Sequence, residues 1–488
     1  MRRSDVYKRR IAQVKKLPTK SIPQYPTTLP VYRACLGVLY TTAFNILCTL
    51  GCALLETSST EIFLAKIEVE HGVARDAEAD TIGCHVCVRD VFPGTRILWE
   101  RGGGTFADGM RCDKVEEETL PDYLPARYYP VRIGQVFIDR YQVVGKLGFG
   151  ASSTVWLAND LSKKRHVALK VFIRSQALGE HVENEMNMYK RMEQCASNHP
   201  GRSAVRTLLD SFQIKGPDGD HLVLAHPPLL NSIEATIRHS SPRRLHPFGA
   251  RYVLKDLFMA LHYLHYDCQI IHTDIKADNI MFSITDPSVF TEFEEEEMRD
   301  PCPRKEVDGR TIYTSRTMKP TDNIGPPVLC DFGSAVLGDS ENVECVQPNV
   351  YRSPEVTLEN PWDYKIDIWN VGCMVWDIFE GNQLFHGIDP EHHEYRRRAH
   401  LAEIVALLGP PPKELLARGK LAHKFFSDEG TFIGGIDLPA SKSLDEIETL
   451  LEGDEKKQFL EFMRKMLQWA PERRSTAREL FQDAWLQQ

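Results

Sequence analysis

The sequence predicts an α+β molecule of two lobes, a small β-rich one and a larger, mostly helical one, behind an N-terminal extension. Three observations predict it. A strand–glycine turn–strand pattern over Tyr141–Leu161 is followed by an apolar strand that ends in Lys170. A polar loop, His272 to Asn279, is held between the apolar pairs Ile270-Ile271 and Ile280-Met281. Beyond it, Asp367–Gly372 reads as a buried helix of the kind that anchors such a loop.

The chain has 488 residues, 42% hydrophobic and 26% charged. That is ordinary globular usage and excludes a wholly disordered, collagen-like or polytopic membrane protein. The formal net charge of −9 hides an asymmetry: residues 1–33 hold nine basic side chains and only Asp5, a net of +8, which leaves −17 on the rest. A body so acidic is a poor general nucleic-acid binder, since phosphate neutralisation needs clustered Lys and Arg, but it attracts basic peptides. Twelve cysteines fall short of a disulfide framework.

The extension comes first. After the basic leader, 1–33, the stretch 34–55 carries no charge. It is long enough to cross a bilayer, which takes about 20 residues, though three Thr, one Asn and two Gly dilute it. It reads as a signal anchor, an organelle-targeting segment, a buried hairpin, or a translated segment absent from the mature protein. Residues 56–128 are an unassigned extension and linker, punctuated near its end by Pro121 and Pro125. Within it, Cys84 and Cys87 form a single C-x-x-C; a zinc site needs four ligands, so free thiols are the reading. There is no internal repeat.

The N-terminal lobe is placed at 129–228. Its hairpin turns at Gly148-Phe149-Gly150, where a Cβ would block close approach of backbone N–H groups to phosphates. Ser153 stands where a third glycine would be. A dinucleotide-binding fingerprint needs a helix directly after the loop; here a strand follows. No G-x-x-x-x-G-K-[ST] occurs either. Lys170, 20 residues beyond Gly150, is then the expected clamp on phosphates. Its carboxylate partner lies in the helical stretch Glu180–Gln194. Met188 and Met192 follow Glu185 at helical spacing, so Glu185 is chosen, with Glu183 as runner-up.

The C-terminal lobe, 229–488, carries the chemistry. His272-Thr273-Asp274-Ile275-Lys276-Ala277-Asp278-Asn279 has the spacing of the protein-kinase pattern H-R-D-x-x-x-x-N, in which Asp takes the substrate hydroxyl proton and Asn holds Mg²⁺. Lys276 is placed to neutralise the transferring phosphoryl group. Asp331-Phe332-Gly333 supplies a second metal ligand. Ser353-Pro354-Glu355 follows, with Arg474 as partner for Glu355. Six such elements in order point to the eukaryotic protein-kinase fold.

Over 129–486 the chain resembles the SR-protein kinase family, especially its fungal members. The residues that carry this are Tyr129-Pro130-Val131-Arg132-Ile133-Gly134, Ser153–Leu157, His272–Lys276, Arg352-Ser353-Pro354-Glu355, and His400–Ile404 with Leu407-Leu408-Gly409. The resemblance implies a serine/threonine kinase that uses ATP and Mg²⁺ on serines of Arg-Ser-rich splicing factors, and so regulates mRNA processing. It implies catalytic roles for Asp274, Lys276, Lys170 and Glu185, metal ligation by Asn279 and Asp331, and an ATP site of Leu147, Gly148, Phe149, Gly150, Ala151, Ser152, Ser153, Val155, Ala168, Lys170, Pro227 and Leu229. With His226 as gatekeeper, adenine is read by Pro227 C=O and Leu229 N–H; proline lacks only its N–H, so both groups survive.

Three departures matter. Thr273 replaces the Arg that grips a phosphorylated activation loop, and Asp331–Glu355 is short and acidic, so activity without phosphorylation at Ser340 is expected. The insert 286–327, with Glu292–Glu297 and several prolines, reads as exposed and partly disordered. In the docking helix, Ala399 and Ala406 stand where the family has acids, and Arg396-Arg397-Arg398 precede them; these would repel an Arg-rich peptide, though Glu391, Glu394 and Glu403 lie nearby. The expected partner is a basic or Arg-Ser-rich protein, with no direct nucleic acid, and the chain is expected to be monomeric. Cytoplasm and nucleus are the expected locations, with membrane or organelle as the alternative through 1–55. A leader of +8 would send the downstream chain across a membrane, away from cytosolic ATP, which counts against an anchor. Competing functions are a pseudokinase scaffold and a kinase for other basic substrates.

Overall fold

The computed structural model describes residues 114–488, apart from 175, 196–197 and 321–322. The expectations for 1–33, 34–55 and Cys84–Cys87 lie outside the described residues. Among those described, no helix is long and apolar enough to cross a membrane.

The N-terminal lobe is one antiparallel sheet with the order β1-β2-β3-β4-β6-β5. The strands are β1 (Val136–Phe137), β2 (Tyr141–Phe149), β3 (Ser153–Asp160), β4 (Arg165–Phe172), β5 (Asp210–Gly216) and β6 (Gly219–His226). Alternation explains their faces. Val143, Trp156, Val167, Leu169, Val171, Val223 and Ala225 fill one core with Tyr141 and Ile214. The other face receives helix α1 (Gln176–Gln194), whose Met188, Tyr189 and Met192 join the main core. Strand β7 (Leu229–Ser232) leaves the lobe and pairs with β9 (Ile280–Ile284), which also pairs with β12 (Ile324–Leu329).

The C-terminal lobe is built on α2 (Ile233–Arg238), α3 (Pro247–His262), α5 (Pro354–Thr357), α6 (Lys365–Glu380), α7 (Arg397–Leu408) and α8 (Gly453–Met466). Nearly every residue of α6 is buried, because it is wrapped on all sides. Trp369 stacks on Phe385, and a second aromatic group forms where Phe379 meets Phe459 and both Phe459 and Phe462 meet Trp485. Glu355 and Arg474 pair in this interior through two hydrogen bonds of 2.5 and 2.7 Å, as the sequence spacing suggested. Taking away one partner would strand a buried charge, at a cost of about 3–5 kcal/mol.

The insert departs from expectation. It forms helix α4 (Ser288–Arg299) and the hairpin β10 (Arg304–Val307) with β11 (Arg310–Tyr313), numbered between β9 and β12. Val289, Phe293 and Glu297 lie four apart and share the buried face. Phe293 packs into a cluster with Leu157, Leu230 and Met318 and with β2's Val144 and Leu147. Its ring lies so close to Gly145 that a Cβ there would sit 2.8 Å away. The acidic run is spent locally: Glu294 takes Asn159 and His166 at 2.8 and 2.9 Å, and Glu297 takes Arg316 at 2.8 Å. Composition alone suggested a solvated run; helical register turns Phe293 and Glu297 inward.

The tail of the extension was also read as linker, and 114–128 is part of the body. Lys146 of β2 is wholly buried, paired with Glu117 and, at 3.3 Å, with Glu116. Glu118 takes Lys305 of β10 at 2.8 Å. The acids at 116–118 thus bridge the glycine strand and the insert, a partnership with no local signature in the sequence.

Candidate active site

Strands β2 and β3 continue as a ladder to Gly148–Val155 and Phe149–Thr154, and Gly150 N–H donates to Ser153 O at 2.8 Å to close the turn. Gly148 and Gly150 have open space where a Cβ would point, so the loop leaves room above the cleft. Val155 lies opposite Lys170, and Ala168 opposite His226. Thus the loop, Ala168, Lys170 and the crossing at Pro227–Leu229 border one cleft. Leu229 packs with Met281, Val328 and Cys330. Met281 and Cys330 were missed from the sequence; the strand alternation after Asn279 was the available signal for Met281.

Lys170 Nζ donates to Glu185 Oε2 at 2.8 Å and to Asp331 Oδ1 at 3.2 Å. Glu185 was preferred to Glu183 by helical spacing, and it is the residue in contact. Burial works against the Lys170 ammonium, but Glu185 and Asp331 outweigh it and raise its pKa. In return Lys170 pulls the Asp331 carboxyl down to about 2, against the opposing effect of burial. This trio keeps Asp331 ionised at any physiological pH.

The catalytic loop hangs from α6. Asp367 accepts His272 N–H at 2.8 Å and Thr273 N–H at 2.9 Å, and Asn370 donates to Ile275 O at 2.6 Å. Thr273 has φ +65° and Asp331 φ +67°, left-handed values that cost about 1–3 kcal/mol each for such residues. The Asp367 clamp is what holds the first of them. Asp274 Oδ2 receives Lys276 Nζ at 2.8 Å and Asn279 Nδ2 at 3.0 Å. Asn279 Nδ2 also donates to Asp274 O at 2.8 Å, which leaves its Oδ1 as an acceptor. Asn279 Oδ1 and the Asp331 carboxylate are hard oxygen donors of the type a small divalent cation takes. The residues present therefore fit a metal site.

An aromatic series links the lobes through this site. His272 meets Phe332 at 5.2 Å between centroids, Phe332 meets Tyr189 at 5.6 Å, and Tyr189 meets His226 at 5.3 Å. The glycine of Asp331-Phe332-Gly333 is pinned from α1: Asn184 Nδ2 donates to Gly333 O and Ala335 O at 2.9 and 2.7 Å. Thr273 Oγ1 donates to Ser334 O at 2.7 Å.

Residues 141–486 match the protein kinase domain family. The chain belongs to the protein kinase family. A serine/threonine protein kinase of Aspergillus fumigatus is 41% identical to this kinase over 382 residues, covering 76% of this chain and 91% of the relative. The serine/threonine-protein kinase SRPK of Physarum polycephalum is 26% identical, with 76% and 91% covered. SRSF protein kinase 3 of mouse is 24% identical, with 77% and 92% covered. A crystallised kinase domain superposes with a TM-score of 0.57 at 20% identity, covering 74% of this chain and 99% of that one. This kinase is thus a serine/threonine protein kinase of the SRPK-like, fungal type. Its domain implies use of ATP with a divalent metal, and a protein as substrate.

At the start of α7 the arginine triplet is neutralised by its surroundings. Arg396 pairs with Glu394 and Arg397 with Glu359, each at 2.7 Å, and Arg398 pairs with Asp389 and Glu391. Beside them runs a groove of about 770 Å³, bordered by Ile388, Glu391, Ala399, Ala402, Glu403 and Asp437. The repulsion expected of bare arginines is therefore much reduced.

Proposed function

We propose that this kinase transfers the γ-phosphoryl group of ATP, with Mg²⁺, to serines of Arg-Ser-rich proteins of the splicing-factor type, and so regulates mRNA processing. The observation that carries the catalytic half is the joined set Lys170–Glu185–Asp331 and Asp274–Lys276–Asn279. A scaffold without catalysis has no use for all six. Asp274 orients the serine hydroxyl and accepts its proton as the oxygen–phosphorus bond forms and the bond to ADP breaks. Lys276, already on Asp274, adds positive charge where the transferring group gathers negative charge. Asn279 and Asp331 would hold Mg²⁺, which supplies charge neutralisation on the phosphates. Lys170, held by Glu185, orients them. Pro227 C=O and Leu229 N–H are offered to adenine.

The substrate half is supported by the names of the SRPK and SRSF kinases among the relatives, by the body's charge of −17, and by the local pairing of Arg396, Arg397 and Arg398. The purified chain is offered ATP, Mg²⁺ and either an Arg-Ser-repeat protein or a basic protein without such repeats. Preferential labelling of the repeat protein is expected. Equal labelling would refute the substrate class; ATP binding with neither protein labelled would refute the activity.

A further inference from the structure

Two cysteines that phosphoryl transfer does not use meet where α1 ends. Cys195 follows α1 directly and is half-buried; Cys268 closes a π-helical turn, Tyr263–Cys268, that extends α3, and it is fully buried. One arginine carries both backbones: Arg191 O accepts Cys195 N–H at 3.1 Å, and Arg191 Nε donates to Cys268 O at 2.9 Å. A second tie runs beside it, where the Tyr263 hydroxyl donates to Met192 O at 3.2 Å. The side chains meet as well: the Cys268 thiol interacts directly with the thiol of Cys195 and with the Tyr263 hydroxyl. Both cysteines are free. A disulfide needs β-carbons within about 4.5 Å and sulfurs turned toward each other, and thiols already in contact across a braced junction are placed for it.

The two thiols differ in access. Burial pushes the Cys268 thiol up to about 12, so it stays protonated and shielded from solvent. Cys195 stands at the edge of the core and is the sulfur that a small oxidant reaches. Their positions in the fold give a bond between them a consequence. Helix α1 carries Asn184, which pins Gly333, and Glu185, which holds Lys170. Cys268 is followed by β8 (Ile270–Ile271) and then by His272, the start of the catalytic loop.

We propose that Cys195 and Cys268 form a redox-sensitive thiol pair that closes to a disulfide under hydrogen peroxide. Cys195 Sγ takes one peroxide oxygen as the O–O bond breaks, releasing water and leaving a sulfenic acid. Cys268 Sγ then displaces that oxygen, which leaves with the Cys268 proton as a second water. Both sulfurs are oxidised and the peroxide is reduced. The bond ties the end of α1 to the lead-in of the catalytic loop and locks α1 with Glu185 on Lys170, so the oxidised kinase stays active and resists heat. The full chain is treated with peroxide, its remaining thiols are blocked, and it is digested without reductant and mapped by mass. A peptide joining Cys195 to Cys268, short of two hydrogens and reopened by dithiothreitol, is expected. The thermal midpoint of the oxidised chain should rise by about 5 °C. In Cys195→Ser both should vanish while the reduced variant keeps full activity. In Cys345→Ser, which removes an exposed thiol elsewhere, both should remain. Cys195 recovered as sulfinic or sulfonic acid beside an unmodified Cys268, or both recovered as blocked thiols under peroxide that oxidises Cys345, would overturn the pair. A link formed with no rise in midpoint would overturn the lock on α1.

Discussion

Replacing Phe293 by Ala tests whether the insert is part of the catalytic machine. The side chain is 2% exposed and lies against Gly145 in the glycine strand. A buried Phe→Ala change costs about 3–5 kcal/mol, partly transfer energy and partly the cavity left behind. At roughly 2 °C per kcal/mol for a unit this large, the midpoint of thermal unfolding should fall by about 6–10 °C. The same cavity removes the backing of β2 just before Gly148, so the KM for ATP should rise severalfold with a smaller change in kcat. Scanning calorimetry and initial rates at varied ATP read the two effects. Met298, on the same helix but 76% exposed, is the control: Met298→Ala should change neither. If Phe293→Ala also left both midpoint and KM unchanged, the insert would not brace the glycine strand and the argument would fail.

Asp274→Ala should leave ATP affinity nearly intact and lower kcat by about 10²–10⁴, the usual span for a positioned base; single-turnover labelling would reveal an unaffected rate if the role is wrong. Glu355→Gln removes one partner of the buried pair with Arg474 and should cost about 3–5 kcal/mol in urea unfolding, far more than loss of the exposed Arg464–Asp445 pair. Because Lys170 depresses the Asp331 pKa to about 2, that carboxylate adds stability that is present above its unfolded pKa of about 4 and is lost as pH falls toward 2. Asp331→Asn should therefore flatten acid unfolding between about pH 4 and 2, and an unchanged acid limb would count against the pairing. With the segment after Asp331 pinned by Asn184 and Thr273, phosphatase treatment should leave activity unchanged; loss traced to Ser340 would contradict this.

Much of the site was legible because its chemistry sits in short runs. Asp274, Lys276 and Asn279 share one loop, and Asp331 begins a tripeptide with a fixed neighbour. Glu185 was legible too, since helix spacing puts it on the same face as Met188 and Met192. The insert was misread because Glu292–Glu297 looks like any solvated acidic run; only α4's register against β2 shows that Phe293 and Glu297 point inward. Likewise the arginine triplet looked repulsive until Asp389, Glu359 and Glu394 were found against it.

The division has a physical basis. Local order along the chain pointed to the kinase fold, the glycine turn and the loop that carries Asp274, Lys276 and Asn279, because those residues stand at spacings that backbone geometry sets over a few positions. What the tertiary structure alone decided were partnerships across long separations. Lys146 meets Glu117 and Tyr313; Asp367 holds a loop almost a hundred residues earlier. Tyr189, from α1, and His226, at the end of β6, meet ring to ring only after packing. Burial and pairing depend on which surfaces meet, and that information is spread over the whole chain rather than written at any one position.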